Sequence, residues 1–565
     1  MDCEEVIYSE DYYDLIISYS SIDMQKVVVL PDCRQKISID YEIGYYNRQG
    51  LPELNVSDYT YTAIPQCFSL MDKSALDSSG ITKVQNQPTL SLKGEGILLG
   101  FLDTGIDYTN PVFQSSEANS RILRIWDQTI RNGRKPEGFL YGSEYTKEEI
   151  DTALRSENPH DIVPSVDENG HGTFLAGVAA GSEDIANDFI GAAPYAEIAM
   201  VKLKPAKQNL RDFYFIPKDA EAYSEGDVMA AISYLNQLSM ELNKPLVLCV
   251  GLGSNMGSHR GTGPLSLYLN SIAVIRNHVV AIAAGNEANS RHHFYGTFDG
   301  NETSQTVEIS VGDAVKGFTV ELWTQAPEVH SVAVVSPTGE QIARVPVRQG
   351  NRVVQQFVFE ETIVSVDYRS VGVTTGDWLV FFRFERPTKG LWDVVVYADE
   401  NIENGRYHMW LPLPAFLSGE VFFLRSNPDV TITVPATAAV PMGVGAYDAQ
   451  TGSLFLDSGR GYTISGQVKP DFVAPGVNVY GPGLRNQYIR MTGTSVAAAI
   501  AAGGSALLLE WAVMREYDTM VNTADIKNYI LRGARHEDNI RRYPNREWGY
   551  GILDVYESLN KLRIR

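Results

Sequence analysis

The 565-residue sequence is short of positive charge: 47 Lys and Arg face 69 Asp and Glu, for a formal net charge of -22 and a pI near 4.9. Phosphodiester backbones are met by clustered Lys and Arg, so this balance argues against a nucleic-acid partner. Long hydrophobic runs are also missing, since nothing approaches the roughly 18 to 20 uninterrupted apolar residues of a membrane span. The opening, MDCEEVIYSEDYYDLIISYS, is acidic where a secretory leader is basic. A soluble chain without a signal peptide, made in the cytoplasm, is the expectation. Cysteine is scarce, and Cys3, Cys33, Cys67 and Cys249 form no CxxC pair and no zinc-ligand spacing. Without a leader, reduced structural thiols are expected, with Cys249 in PLVLCVG a small buried hydrophobe. Repeats, low-complexity tracts and any D-x-D-x-D-G calcium loop are absent as well, so no metal site is assigned.

What remains is an ordinary globular composition, 44% hydrophobic and 21% charged, in a chain long enough for two to four domains. The runs ILLGFLD (97–103), EIAMVKL (197–203), PLVLCVG (245–251) and HVVAIAAG (278–285) are continuously apolar and β-rich. Such runs suit strands covered on both faces. Between them, residues 226–243 and 264–277 place apolar residues at helical intervals. Together they predict an α/β fold, a parallel sheet with helices on both faces, spanning 61–293 and resuming over 424–565. Over 294–423 the pattern becomes short alternating runs such as FTVELWT and WLVFFRFE, with no helical periodicity. That segment reads as an inserted all-β sandwich of jelly-roll type. Residues 1–60 form a small α+β unit, with strands expected in DYYDLIISYS and KVVVLPD, too short to bury a core of its own. TADIKNYILRGAR and GILDVYESLNKLR read as closing helices, acidic early and basic late.

Three short stretches carry chemistry. Asp103, in LGFLDTGID, ends an apolar strand, where ligands gather in open α/β sheets. His171, in ENGHGTFLAGVAAG, is flanked by glycines that admit close backbone approach. Ser495, in GTSVAAAIAAGG, starts a helix of alanines and glycines, whose unpaired N–H groups face whatever lies before it. Singly, each has an ordinary structural explanation: a turn cap, a helix start, an N-cap. Jointly, a carboxylate, an imidazole and a hydroxyl are the three parts of serine acyl transfer.

In their order DTGID, GHGTFLAG, AAGN and GTSVAAAIAAG, these segments resemble the signatures of subtilisin-like serine proteases. An α/β-hydrolase would instead run Ser, acid, His around a G-x-S-x-G elbow, a frame that Ser495 lacks. The resemblance implies a serine endopeptidase with Asp103, His171 and Ser495 as triad, and an oxyanion hole from the Asn286 side chain and the Ser495 N–H. VGLGSNMG (250–257) resembles the segment that pairs with an extended peptide substrate, which nominates Gly251, Leu252 and Gly253.

Most members carry Pro and His four and five places after the nucleophile, where this chain has Ala499 and Ile500. With the long β insert, this is similar to the germination-specific Csp branch of spore-forming clostridia. That resemblance implies a spore association, a cortex-hydrolase zymogen as substrate, and a propeptide (1–60) that is cut and stays bound. TAIPQCFSL (62–70) resembles the start of a mature subtilisin domain, which puts the cut near Thr60 and Tyr61. No cofactor is required, and calcium, common in the family, is left open. A pseudoprotease that binds or senses a ligand on the same scaffold is the alternative; known inactive relatives lose triad residues, and this chain keeps them. An esterase or ligase sharing the acyl-enzyme also remains open.

Overall fold

The computed structural model describes residues 3–19, 30–70, 77–115, 119–298, 302–371, 376–398, 405–538 and 540–562. Side chains are described for these except at 68–70 and 77. The apolar runs do form strands. In sheet order, Phe472–Pro475, Met442–Asp448, His278–Ala283, Leu246–Val250, Leu98–Asp103, Glu197–Lys202 and Ile122–Asp127 are mutually parallel. Ser143–Thr146 and Ser453–Leu454 add antiparallel edges. The four strands Leu98–Asp103, Glu197–Lys202, Leu246–Val250 and His278–Ala283 are buried along almost their whole length, as continuous apolar runs require.

One face of this sheet is covered by the helices His171–Ala180 and Thr494–Leu509, the other by Glu225–Leu242 and Pro264–Ala273. The first pair is built almost wholly of small residues and lies so close that a β-carbon on Gly503 would overlap Ala192 Cβ and reach within 2.9 Å of the Ala179 carbonyl. The segment Thr494–Met514 is long and apolar enough to cross a membrane, yet 89% of its apolar window is buried inside the protein. Its hydrophobicity belongs to the core.

Between His293 and Phe423 the chain forms two antiparallel sheets. Six strands run in the order His293–Thr297, Arg406–Trp410, Gly317–Thr324, Asp377–Glu385, Ile363–Val371 and Arg352–Gln356. Five run Gln341–Val345, Ser331–Val335, Gly390–Tyr397, Ser304–Val311 and Val421–Phe423. Val320, Leu322, Val380 and Phe382 point into the core between the sheets. Alternation along the strands turns Glu321, Trp323, Leu379 and Phe381 the other way. The three apolar members of that set help build a second core with Tyr59, Tyr61 and Ile64 of the amino-terminal part and Leu210 and Phe213 of the α/β part.

The amino-terminal unit is α+β as expected: it begins with a helix, Cys3–Tyr8, whose position the sequence leaves unmarked, followed by Tyr12–Ser18, Cys33–Lys36 and Tyr41–Asn47 in a three-stranded antiparallel sheet. The strand expected at KVVVLPD falls mostly outside the described residues. Ile16, Tyr41, Ile43 and Tyr45 pack on the Glu225–Leu242 helix, where a β-carbon on Gly226 would sit 3.1 Å from Ile43 Cδ1. The small unit therefore buries its apolar face on its neighbour. The reduced state expected of all four cysteines is corrected: Cys3 and Cys33 form a disulfide, while Cys67 and Cys249 are free and buried. The two partners lie 30 residues apart, and only the docking of helix on sheet brings their Cα atoms to 5.7 Å.

The helix contact gives a direct test. Gly503→Ala should destabilise the protein by roughly 1–3 kcal/mol through overpacking, read as a lower denaturation midpoint at unchanged slope in chemical denaturation.

Candidate active site

Asp103, His171 and Ser495 come from three elements and meet at the carboxyl edge of the sheet. Asp103 ends its strand, is 1% exposed, and accepts bonds from the Thr104 N–H (2.8 Å) and Thr104 Oγ1 (3.2 Å). His171 is the first residue of its helix and is buried. Asp167 holds that helix start, accepting from the N–H groups of Asn169, Gly170 and Thr173 and from Thr173 Oγ1. Gly172 is obligatory here, because a β-carbon would overlap the Gly105 carbonyl and press on Asp103 Cβ at 3.0 Å.

The imidazole spans the other two groups. Nδ1 lies 2.9 Å from both Oδ1 and Oδ2 of Asp103, and Nε2 lies 3.1 Å from Ser495 Oγ. A buried carboxylate against Nδ1 holds the proton on that nitrogen and leaves Nε2 as the acceptor facing the hydroxyl. Ser495 is fully buried and does not cap its helix: the N-cap is Gly493, with no side-chain capping bond. The Ser495 N–H is instead among the first-turn donors that an α-helix leaves without an intrahelical acceptor.

Asn286 follows the strand His278–Ala283 after a turn at Gly285, whose φ is +100°. Its Oδ1 accepts from the Thr494 N–H at 3.0 Å and from Thr494 Oγ1 at 3.1 Å, while Thr494 Oγ1 accepts from the Gly285 N–H at 3.0 Å. Two donors on Oδ1 settle the amide orientation and make Nδ2 the donor end of the side chain. Behind it, Glu287 is buried and takes a bond from Asn255 Nδ2 at 3.1 Å, and burial pushes its carboxyl up to about 7.

Gly251 passes against His171 and Ser495. A β-carbon there would lie 3.3 Å from Ser495 Cβ, 3.4 Å from His171 Cε1 and 2.8 Å from Leu175 Cδ1. The next two residues, Leu252 and Gly253, pair antiparallel with the chain's own strand Cys67–Leu70, in the register Leu252 to Leu70 and Gly253 to Ser69. On its other edge the same strand pairs with Tyr223–Ser224. An extended segment of the protein is thus held as the middle strand of a three-stranded sheet beside Ser495.

Thr60 and Tyr61, expected at a cut, are elsewhere. Tyr61 is buried in a short 3₁₀ turn, edge-on to Trp323, with its hydroxyl donating to Glu321 Oε1 at 2.6 Å. Residues 67–70, inside the stretch that resembles a mature amino terminus, are the ones that pair with Leu252 and Gly253. Among the described residues no group of three or more His, Cys, Asp or Glu is placed to hold a metal.

Two substitutions probe the geometry. Asn286→Ala should lower kcat by about 10²- to 10³-fold, a magnitude established in subtilisin, with less change in KM. A Glu287 pKa raised from 4.5 to about 7 means the folded state keeps a proton that the unfolded state loses. Its stabilisation is complete below 4.5 and is lost as pH rises through about 7. Glu287→Gln should therefore flatten the fall in thermal midpoint between pH 5 and 7.5.

Comparison with known proteins agrees with this architecture. The sequence profile of the subtilase family matches residues 94–338 and 404–551. The solved structure of the CspB protease of Clostridium perfringens superposes with a TM-score of 0.77 at 32% identity, covering 87% of this chain and 100% of that one. The C5a peptidase of Streptococcus pyogenes serotype M1 is 22% identical over 507 residues, 82% of this chain but 39% of the relative. The human membrane-bound transcription factor site-1 protease is 32% identical over 142 residues, 24% of this chain and 13% of the relative. The chain therefore spans well under half the length of these two relatives. With a family match over most of its length and a CspB-like fold, the chain belongs to the subtilase family.

Proposed function

We propose that Asp103, His171 and Ser495 act as the catalytic triad and that the chain's first substrate is its own linker, the stretch from residue 61 onward that carries the strand Cys67–Leu70. The observation that carries the first part is the single imidazole bridging Asp103 and Ser495 at 2.9 and 3.1 Å. Ser495 Oγ attacks a peptide carbonyl while His171 Nε2 takes its proton, and Asp103 holds the ring and balances the imidazolium. The oxyanion is received by Asn286 Nδ2 and the Ser495 N–H. His171 then protonates the leaving amine, and water, deprotonated by the same ring, releases the acyl-enzyme. Backbone pairing with Leu252 and Gly253 selects extended peptides. An intact triad with its asparagine favours this over the pseudoprotease alternative.

The antiparallel register of Cys67–Leu70 on Leu252–Gly253 supports a cut within the few bonds after Leu70, not at Thr60. Those bonds lie outside the described residues. The cleaved amino-terminal part should stay bound. It shares two apolar cores with the rest of the protein and makes a buried ion pair, Lys207 Nζ to Asp14 Oδ1 at 2.5 Å. By analogy with the Csp branch alone, the enzyme acts in the spore on the zymogen of a cortex hydrolase.

Intact-mass analysis tests the self-cleavage. The parent protein should give two co-purifying fragments divided shortly after residue 70, and Ser495→Ala a single uncut chain. A fluorophosphonate should label the parent and not the variant. No labelling and no cut in the parent would favour the pseudoprotease.

A further inference from the structure

A pocket lies where the three units meet, lined by Gln66 of the linker, Glu225 and Ser266 of the α/β part, Val434, and Trp323 and Val371 of the insert. Glu225 is 2% exposed, and its two oxygens take only backbone donors, the Leu265 N–H at 3.1 Å and the Gln66 N–H at 3.2 Å. Among the described residues no Lys, Arg or His lies within salt-bridge distance of it, whereas Asp377, on the same pocket, is paired with Arg260 at 2.7 Å. A buried carboxylate without a counter-ion is costly unless it is neutralised or a cation is supplied. Burial accordingly pushes Glu225 up to about 7.

Two further buried acceptors share the pocket without a partner. Gln66 Oε1, on a residue 6% exposed, has none, because its amide nitrogen donates to Tyr61 and its orientation is fixed by that bond at 3.3 Å. Ser266 Oγ, 1% exposed, has none either. Buried polar groups left unpaired call for an explanation such as a bound ion or ligand. Trp323 offers an aromatic wall, and Val371 and Val434 accommodate a short apolar tail. Near Gly263 the wall is open, since a β-carbon there would meet nothing within 4 Å.

We propose that this junction pocket binds a small primary ammonium ion, with the Glu225 carboxylate as counter-ion and Gln66 Oε1 and Ser266 Oγ as its remaining acceptors. Three N–H donors of a primary ammonium match three acceptors of the pocket. Gln66 immediately precedes the strand Cys67–Leu70, so a bound cation would also tie the linker to its seat; that consequence rests on the reading of the linker as first substrate. Binding itself does not.

The experiment is isothermal titration of full-length Ser495→Ala protein at pH 8 and fixed ionic strength with ethylammonium, potassium and tetramethylammonium chlorides. The inactive background separates this test from that of catalysis. Saturable binding of ethylammonium is expected, lost with the added Glu225→Gln and roughly tenfold weaker with Ser266→Ala, the worth of one hydrogen bond to a charged group. Tetramethylammonium, with no N–H to donate, should not bind. Should Glu225→Gln fail to fold, unchanged affinity in Ser266→Ala overturns the proposal by itself. It is equally overturned by no saturable binding of ethylammonium, by equal binding of tetramethylammonium, or by binding of potassium alone.

Discussion

The close contact of two small-residue helices is the constraint from which the site follows. His171–Ala180 and Thr494–Leu509 lie on the same face of the parallel sheet, and Gly503 leaves no room for a side chain between its helix and the Ala179 carbonyl. Helices that meet through glycine and alanine have little freedom to slide, because close-packed interiors resist change of volume. Their first turns are thereby fixed at the carboxyl edge of the sheet, where the imidazole of one reaches the hydroxyl of the other at 3.1 Å. Asp103 needs only to end the strand beneath them. Gly172 and Gly251 then let backbone pass where any side chain would separate the three groups.

The rest of the molecule is organised around the groove beside Ser495. The strand Cys67–Leu70 occupies it, and the residues just before that strand are gripped from two sides. Glu321 and Trp323 of the insert hold Tyr61, and Glu225 holds Gln66. Because the six-stranded sheet of the insert buries both faces, its second face becomes a wall of the junction core. Amino-terminal unit, linker, insert and α/β part therefore share buried apolar clusters, although none of the first three lies in the parallel sheet.

Strand positions in the α/β part were legible because continuous burial demands continuous apolar sequence; ILLGFLD and HVVAIAAG have no polar register to hide. The triad candidates were legible because each sits in a short motif whose glycines mark close approach. Other features left no such trace. The helix Cys3–Tyr8 is six residues long, too short for a period to register. Cys3 and Cys33 carry nothing in their spacing that separates a bridge from two thiols. Residues 67–70 carry no local mark of their place in the groove, which depends on strand pairing across some 180 residues. Glu225, Glu287 and Glu321 read as ordinary acids within helix, loop and strand. Only burial makes them unusual.

By itself the sequence determined the layering, a parallel sheet interrupted by an all-β insert, and nominated the three side chains that one imidazole joins, because burial and close approach both write local patterns. Tertiary structure alone decided which stretch lies in the groove, which cysteines join, and which carboxylates lose their counter-ions. Those outcomes are set by pairing and desolvation between residues far apart in the chain, and no local pattern encodes the distance between them.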